Sequence, residues 1–358
     1  EADAVAALDN LALLLGGVEA AFVPWDNNSA GALEMGVVPD LFPGQQPLAD
    51  QRVRSRLASF WGAKLPPAPG IGFGEMMAAG ERGSLQALWV MGADPARDCP
   101  GAAASLERIP FLVVQDLFLT DTARLADVVL PAASFAEVDG TFSNMTGRVQ
   151  AIRAARYLPG EARPDWWILA EMGRRLAPAK GQRAWAFATP AEVLAEMARV
   201  LPAFAPLAGL AIDPGGWQPP TPSVGTGAEA SSRARRRAFA PVDAGPPAAD
   251  PDGRLVLLPR RLFYDRGVLL SHSERIQAVV RAPAVQLHPA DAQRLGLEPG
   301  DRVRVTSAAG GWSGSLEVSE GIVPGTALLP HETGDAPAGA LFAICGVLPR
   351  VNVTKEGG

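Results

Sequence analysis

The chain of 358 residues is short of the side chains that hold metal ions. It has two cysteines, Cys99 and Cys345, and three histidines, His272, His288 and His331. Two thiols cannot supply a four-cysteine iron–sulfur or zinc site, and neither cysteine belongs to a C-x-x-C pair. No histidine has a second histidine four residues away. We therefore expect free buried thiols and no metal site, with a disulfide between the two cysteines left open.

Positive charge and long apolar runs are also scarce. The net charge is −6, which argues against a general nucleic-acid binder, because such proteins carry a basic surface. No uninterrupted run of about 18 apolar residues occurs, so we expect no membrane-spanning helix. The Walker A, G-x-G-x-x-G and G-x-S-x-G motifs are absent. The glycine-rich residues 70–75, GIGFGE, lack the required spacing and are expected to form a loop.

The most informative segment covers residues 126–150 and reads ADVVLPAASFAEVDGTFSNMTGRVQ. A short apolar strand, 128–130, ends at Pro131, which has no amide hydrogen for a ladder. Polar side chains then surround two glycines, Gly140 and Gly147. These polar residues are Glu137, Asp139, Thr141, Asn144 and Arg148. Open α/β sheets build ligand sites on loops of this kind.

Periodicity predicts an α/β region before this segment and a β region at the C-terminal end. Apolar strands over 85–91 and 111–115 with a helix between them predict a parallel βαβ unit. Further helices are predicted over 2–15, over 165–176 and after a capping box at Thr189. The predicted apolar face of the helix over 165–176 consists of Trp166, Leu169, Ala170, Gly173 and Leu176. Alternation in 302–305 and 312–318 across a Gly-Gly turn predicts paired strands. His288 is predicted to cap a short helix that ends at Gly296.

Composition divides the chain into three parts. Residues 1–205 are the α/β region, residues 206–253 a linker rich in Pro, Gly and Ser, and residues 254–358 a β-barrel. The linker holds a basic cluster, which is either a solvated run or a docking site for an acidic neighbour. The cluster consists of Arg233, Arg235, Arg236 and Arg237.

Several of these segments together resemble the molybdopterin oxidoreductase superfamily. The resemblance is carried by the Leu-Pro, D-G-T-F-x-N and G-R-V-Q pieces of the segment above and by residues 88–100, 111–131, 159–176 and 285–310. Within the superfamily the chain is most similar to the C-terminal portion of the large iron–sulfur subunit of NADH–quinone oxidoreductase, with the formate dehydrogenase catalytic subunit as a near relative. The resemblance implies a doubly wound, mainly parallel sheet domain followed by a small double-psi β-barrel.

The resemblance also implies a function. The chain would be a non-catalytic structural portion of the peripheral arm of a proton-translocating complex that passes electrons from NADH through FMN and iron–sulfur clusters to quinone. Its 4Fe-4S and 2Fe-2S clusters would lie in an N-terminal portion and in the neighbouring hydrophilic subunits, on the cytoplasmic side of the plasma membrane. One alternative is a fragment of a formate dehydrogenase-like molybdenum or tungsten enzyme. Another is a stand-alone pterin- or nucleotide-binding module.

The same resemblance selects candidate cofactor-binding residues. Gly140, Thr141, Asn144 and Arg148 match positions that lie near the pterin in cofactor-binding relatives. Thr146, however, stands where those relatives usually have Glu, so we expect no bound molybdopterin. Catalytic members of the family hold their metal partly through a Cys, selenocysteine or Ser from an earlier portion that is absent here, so we also expect no catalytic residue and no metal. The structural alternative is a turn at 139–140 with Arg148 bonded to one of the two preceding carboxylates.

Overall fold

The structure, a computed structural model, describes most of the chain. The described residues are 2–14, 27–99, 101–177, 185–207, 216–217, 250, 252–260, 268–279, 282–330, 341–342 and 348–356. The helices are α1 (Ala2–Leu14), α2 (Ser29–Glu34), α3 (Gln51–Trp61), α4 (Phe73–Glu81), α5 (Pro95–Asp98), α6 (Ala102–Leu106), α7 (Asp121–Leu125), α8 (Asp165–Leu176), α9 (Pro190–Val200), α10 (Val268–Ser271), α11 (Glu274–Gln277) and α12 (Pro289–Arg294). The strands are β1 (Leu41–Phe42), β2 (Gln46–Pro47), β3 (Leu88–Met91), β4 (Leu112–Asp116), β5 (Val128–Pro131), β6 (Gly140–Ser143), β7 (Val149–Ile152), β8 (Leu255–Arg260), β9 (Ala284–Leu287), β10 (Arg302–Thr306), β11 (Gly311–Val318), β12 (Thr326–Pro330) and β13 (Arg350–Lys355).

Two compact units divide the chain, and they alternate along the sequence. One unit comprises residues 1–72 and 131–245, and the other comprises residues 73–130 and 246–358. The three-part division drawn from composition stays a prediction. Most of the proposed linker, including its arginine cluster, lies outside the described residues, as do Cys345 and His331.

A parallel sheet forms the first part of the second unit. Its strand order is β3-β4-β5, and β3 runs parallel to β4 with Leu88 opposite Leu112. The crossover passes through α5 and α6, which is the connection that parallel strands need. Leu106, Leu112 and Val114 are buried in its core. The βαβ prediction is therefore confirmed, but the loop predicted over 70–75 is wrong in part because α4 begins at Phe73.

A closed six-stranded barrel forms the rest of that unit. The order around the barrel is β10-β11-β9-β12-β8-β13, with β11 parallel to β9 and β12 parallel to β8. Val303 and Val305 point into the core while Arg302 and Arg304 point outward, as the period of two requires. The predicted α/β class with a C-terminal β-barrel is confirmed.

The short helix beside the barrel also follows the sequence. His288 Nδ1 accepts a hydrogen bond from Ala290 N (3.1 Å) at the start of α12. Gly296 has a φ of 66° just after that helix, a left-handed conformation that glycine adopts without strain. Among the described helices, none is both long enough and apolar enough to cross a membrane.

The first unit packs short elements around one apolar core. This core includes Phe42, Leu57, Val149, Leu201 and Leu207. Two helices in this unit are capped by side chains: Asp50 Oδ1 accepts from Arg52 N (2.8 Å) before α3, and Thr189 caps α9. Each cap satisfies an amide that has no partner inside the helix.

Truncation of a barrel core side chain tests the closed barrel. Leu257 is fully buried, so Leu257→Ala should lower the free energy of unfolding of the barrel by about 2–5 kcal/mol. Hydrogen exchange of peptides from the barrel, measured at increasing urea concentrations, gives the loss in the free energy of unfolding. The control, Leu348→Ala, removes a side chain that is 47% exposed and should change stability by less than about 0.5 kcal/mol. Equal effects of the two variants would contradict the assigned core.

Candidate functional site

The four candidate residues lie on one β-hairpin of the first unit. β6 pairs antiparallel with β7, with Gly140 opposite Ile152 and Ser143 opposite Val149. Gly140 and Thr141 begin β6, whereas Asn144 and Arg148 stand at the two ends of the turn. The turn predicted at 139–140 is wrong, because the chain is already entering β6 there. The reversal occurs at 144–148, where Gly147 takes a φ of 76°.

Asn144 closes this turn with its own side chain. Its Oδ1 accepts hydrogen bonds from Thr146 N (3.0 Å), Thr146 Oγ1 (2.8 Å) and Arg148 N (3.0 Å). Its main-chain N also donates to Arg148 O (2.9 Å). A carboxamide oxygen has two lone pairs, so three donors saturate it. Asn144 thus makes the side-chain to main-chain contacts that stabilise tight turns.

The structure places fewer constraints on the other predicted residues, Gly140, Thr141 and Arg148. A Cβ at Gly140 would meet the Ile152 side chain at 3.8 Å, an ordinary contact, so the position does not require glycine. Thr141 is half-buried opposite Ala151, and Arg148 is exposed.

The two carboxylates before the hairpin, Glu137 and Asp139, accept hydrogen bonds from main-chain amides. Glu137 Oε2 accepts from Ser134 N (2.9 Å), and Asp139 Oδ1 accepts from Ala154 N (2.9 Å). These bonds tie the loop before β6 to itself and to the chain just after β7. Bonding of one of these carboxylates to Arg148 stays a prediction.

Helix α2 supports the hairpin through residues that the sequence analysis did not select. Asn28 adopts a φ of 54° before α2, and its Oδ1 accepts from Ser143 N (2.9 Å). A Cβ at Gly31 would collide with Asn28 Oδ1 and lie 3.2 Å from Ser143 Cβ, so a side chain there would push the Asn28 carboxamide away from Ser143 N. The N-N-S-x-G sequence of residues 27–31 contained a signal for this arrangement, because Asn tolerates a left-handed backbone and glycine permits close approach of another segment.

Glu34 at the end of α2 carries an unusual carboxyl group. It is half-buried, and its Oε2 is buried without a hydrogen-bond partner among the described residues. Burial raises the pKa of Glu34 above its ordinary value of 4.5, and a hydrogen bond from the Ser143 side chain opposes this shift. The carboxyl group therefore accepts a proton more readily than an exposed glutamate does.

A second polar cluster lies at the carboxyl end of β3. Asp94 is buried, and its Oδ1 accepts from Thr122 N (2.8 Å) and Thr122 Oγ1 (2.6 Å). Thr122 Oγ1 in turn accepts from Ala96 N (2.9 Å). Open α/β sheets carry ligand sites at this edge, but these bonds tie α5 to α7 instead. The sequence signal was an acidic residue in the Gly-Ala-Asp-Pro turn that follows β3.

Gln115 and Asp116 end the neighbouring strand β4 and are buried. Asp116 Oδ1 accepts from Leu117 N (2.6 Å), which turns the chain out of the sheet. Cys99 is buried, as predicted, whereas its pairing with Cys345 concerns a residue outside those that the structure describes. Within the described residues no group of three or more His, Cys, Asp or Glu side chains could hold a metal ion.

Comparison with known families explains this architecture. The molybdopterin oxidoreductase family model matches residues 1–175, and the model of the molybdopterin dinucleotide-binding domain matches residues 265–351. The chain belongs to the molybdopterin oxidoreductase family. The second match coincides with most of the closed barrel, and the first contains both the hairpin and the parallel sheet.

Curated relatives carry several different names. The chain is 32% identical over 99% of its length to NADPH-Fe(3+) oxidoreductase subunit alpha of Geobacter sulfurreducens, covering 40% of that protein. It is 35% identical over 85% of its length to the second G-type subunit of NADH-quinone oxidoreductase from Rhizobium meliloti, covering 34% of it. It is 34% identical over 84% of its length to F420-dependent formate dehydrogenase 2 subunit alpha of Methanococcus maripaludis, covering 46% of it. The chain thus spans less than half of each of these relatives.

A solved structure shares the fold. Acetylene hydratase from Pelobacter acetylenicus superposes with a TM-score of 0.57 over 85% of this chain and 49% of its own, at 16% identity. Identity at that level shows the fold alone.

The family's cofactor fits the hairpin poorly at one position. The Asn144 oxygen already accepts three hydrogen bonds from its own turn, so it has no lone pair for a pterin N–H. Cofactor binding by Gly140, Thr141, Asn144 and Arg148 stays a prediction.

Removal of the Asn144 side chain tests its role in the turn. Asn144→Ala should speed hydrogen exchange in residues 140–152 by about 5- to 30-fold, because the loss of these bonds costs about 1–2 kcal/mol. Hydrogen-exchange mass spectrometry measures the rates. The control, Thr146→Val, removes the hydroxyl group that donates to Asn144 Oδ1, and it should have a smaller effect. Unchanged exchange in Asn144→Ala would show that the side chain does not hold the turn.

The Glu34 carboxyl predicts a pH dependence of stability. Its pKa is raised in the folded state, so its contribution to stability is fully present below the unfolded value of 4.5 and is lost as the pH rises through the folded pKa. Wild-type stability should therefore fall relative to Glu34→Gln as the pH increases from about 4 to about 7. Urea denaturation across this range gives both curves.

The exposed Glu107, which follows α6, supplies the matched control. Glu107→Gln should keep the wild-type pH dependence. Parallel curves for wild type and Glu34→Gln would contradict the role assigned to Glu34.

Proposed function

We propose that the chain is a non-catalytic structural part of the large iron–sulfur subunit in the peripheral arm of an NADH–quinone oxidoreductase. The Rhizobium meliloti relative, at 35% identity over 85% of the chain, supports this assignment. Within such a complex the chain binds neighbouring hydrophilic subunits on the cytoplasmic side of the plasma membrane. The iron–sulfur clusters and FMN belong to other portions of the assembly.

The saturated carboxamide oxygen of Asn144 is the observation that carries the structural role. The resemblance to cofactor-binding relatives implies that this hairpin corresponds to a segment near their pterin, yet the Asn144 carboxamide oxygen stabilises the hairpin itself. The buried Asp94 carboxylate is used in the same way at the end of β3. Polar groups that are already satisfied by the chain's own donors stabilise a fold and leave little for a ligand. We propose that this hairpin holds no molybdopterin.

A formate dehydrogenase-like molybdenum or tungsten enzyme is the second candidate. The Methanococcus maripaludis relative is 34% identical over 84% of the chain, which is nearly as similar. The unpartnered Glu34 Oε2 beside the hairpin also favours a polar ligand there, because buried oxygens usually have a hydrogen-bond partner. In that case the metal chemistry would be supplied by the bound cofactor, with this chain contributing binding groups only.

Purification of the full-length protein from its native host separates these candidates. We expect flavin- and cluster-bearing subunits to co-purify, and we expect molybdenum and tungsten to be far below one atom per chain by elemental analysis. Stoichiometric molybdenum or tungsten, or a pterin released on denaturation, would contradict the structural assignment. A lone protein without either would favour the stand-alone module.

A further inference from the structure

An aromatic, basic surface lies between the hairpin and α8. Tyr157 is 99% exposed, Leu158 is 38% exposed, and Phe135 in the loop before the hairpin is 60% exposed. Arg153 and Arg156 stand in the same segment and are exposed. We refer to Phe135, Arg153, Arg156, Tyr157 and Leu158 as the arginine–aromatic surface.

Main-chain hydrogen bonds hold this surface together. Ala136 O accepts from both Ala155 N (2.8 Å) and Arg156 N (3.1 Å), which sets the segment around Tyr157 beside Phe135. The bond from Ala154 N to the Asp139 carboxylate adds a third tie (2.9 Å). Because the backbone is already fixed, less conformational entropy is lost when a partner binds.

The charge of this region is opposite to that of the whole protein. Residues 140–160 contain three arginines and no acidic residue, in a chain of net charge −6. Neither Arg153 nor Arg156 forms an ion pair with any residue that the structure describes. The preceding carboxylates of Glu137 and Asp139 are used as acceptors for main-chain amides. The two guanidinium groups are therefore available to an external acidic group.

We propose that the arginine–aromatic surface docks on an acidic face of a partner protein, with Tyr157 entering an apolar depression. Tyr and Arg are the residue types that dominate binding energy at protein interfaces. Opposite charges accelerate the encounter and fix the register. Two available cations among exposed Phe, Tyr and Leu side chains suit a protein better than a nucleic acid, which needs many phosphate contacts. The proposal rests on the proposed function, in which the chain assembles with other subunits.

Site-specific photocrosslinking in the native complex tests the proposal. Tyr157 is replaced by p-benzoylphenylalanine in the full-length protein, the host cells are irradiated, and mass spectrometry locates the linked peptide. We expect one linked peptide from another polypeptide, at a position flanked by Asp or Glu. In the same background, the Arg153→Glu/Arg156→Glu double variant should lower the crosslink yield about tenfold at low salt, with a smaller effect when salt screens the charges.

Two matched controls accompany this experiment. The photoreactive residue placed at Val279, which is 76% exposed, should not label the same peptide. Arg82→Glu/Arg275→Glu reverses two other exposed arginines and should leave the yield unchanged.

The proposal is overturned by crosslinks confined to the protein's own chain, by crosslinks to nucleic acid or lipid, or by the absence of crosslinks. It is also overturned if the yield does not change on reversal of Arg153 and Arg156. Failure of the proposed function has a different signature, namely purification without flavin- or cluster-bearing subunits. In that case a charge-sensitive crosslink to another protein would still support the surface.

Discussion

Three hydrogen bonds to the Asn144 oxygen set the shape of the β6–β7 hairpin, and the interpretation of the site depends on them. They place the chain reversal at 144–148 and keep Ser143 paired with Val149. This register brings Ser143 N to Asn28 Oδ1, so the hairpin turn and the start of α2 form one polar unit. A cofactor that needed the Asn144 oxygen would have to open the turn first.

Helices and strands with strong local signals were predictable from the sequence. The predicted bounds of α8 agree with the structure because Pro164 fixes its start, and α9 follows the Thr189 capping box. The apolar face predicted for α8 is wrong in part: Leu169 and Leu176 are exposed, and Ile168 is buried instead. Ala170 is buried, as predicted. Periodicity identifies an apolar stripe, but the neighbouring elements decide which residues are covered.

The supporting residues of the site were not predictable by the same route. Asn28 and Glu34 lie more than a hundred residues before Ser143, and only the fold brings them together. The half-buried state of Glu34 depends on this long-range packing, which no local pattern contains. By contrast, Asn144 could be selected as a candidate from the sequence of residues 139–150 alone. Its role in holding the turn could be seen only in the structure.

Two sets of polar side chains in this protein differ in whether main-chain groups satisfy them. Asp94, Asn144, Glu137 and Asp139 each accept hydrogen bonds from nearby main-chain amides, which stabilises the fold without any ligand. Arg153 and Arg156 lack such partners among the described residues, and they flank a tyrosine that is almost wholly exposed. A chain that uses the first set of polar groups for structure can still interact through these arginines. Assembly with a partner therefore accounts for both sets of groups together, whereas a ligand confined to the hairpin accounts for neither Tyr157 nor its arginines.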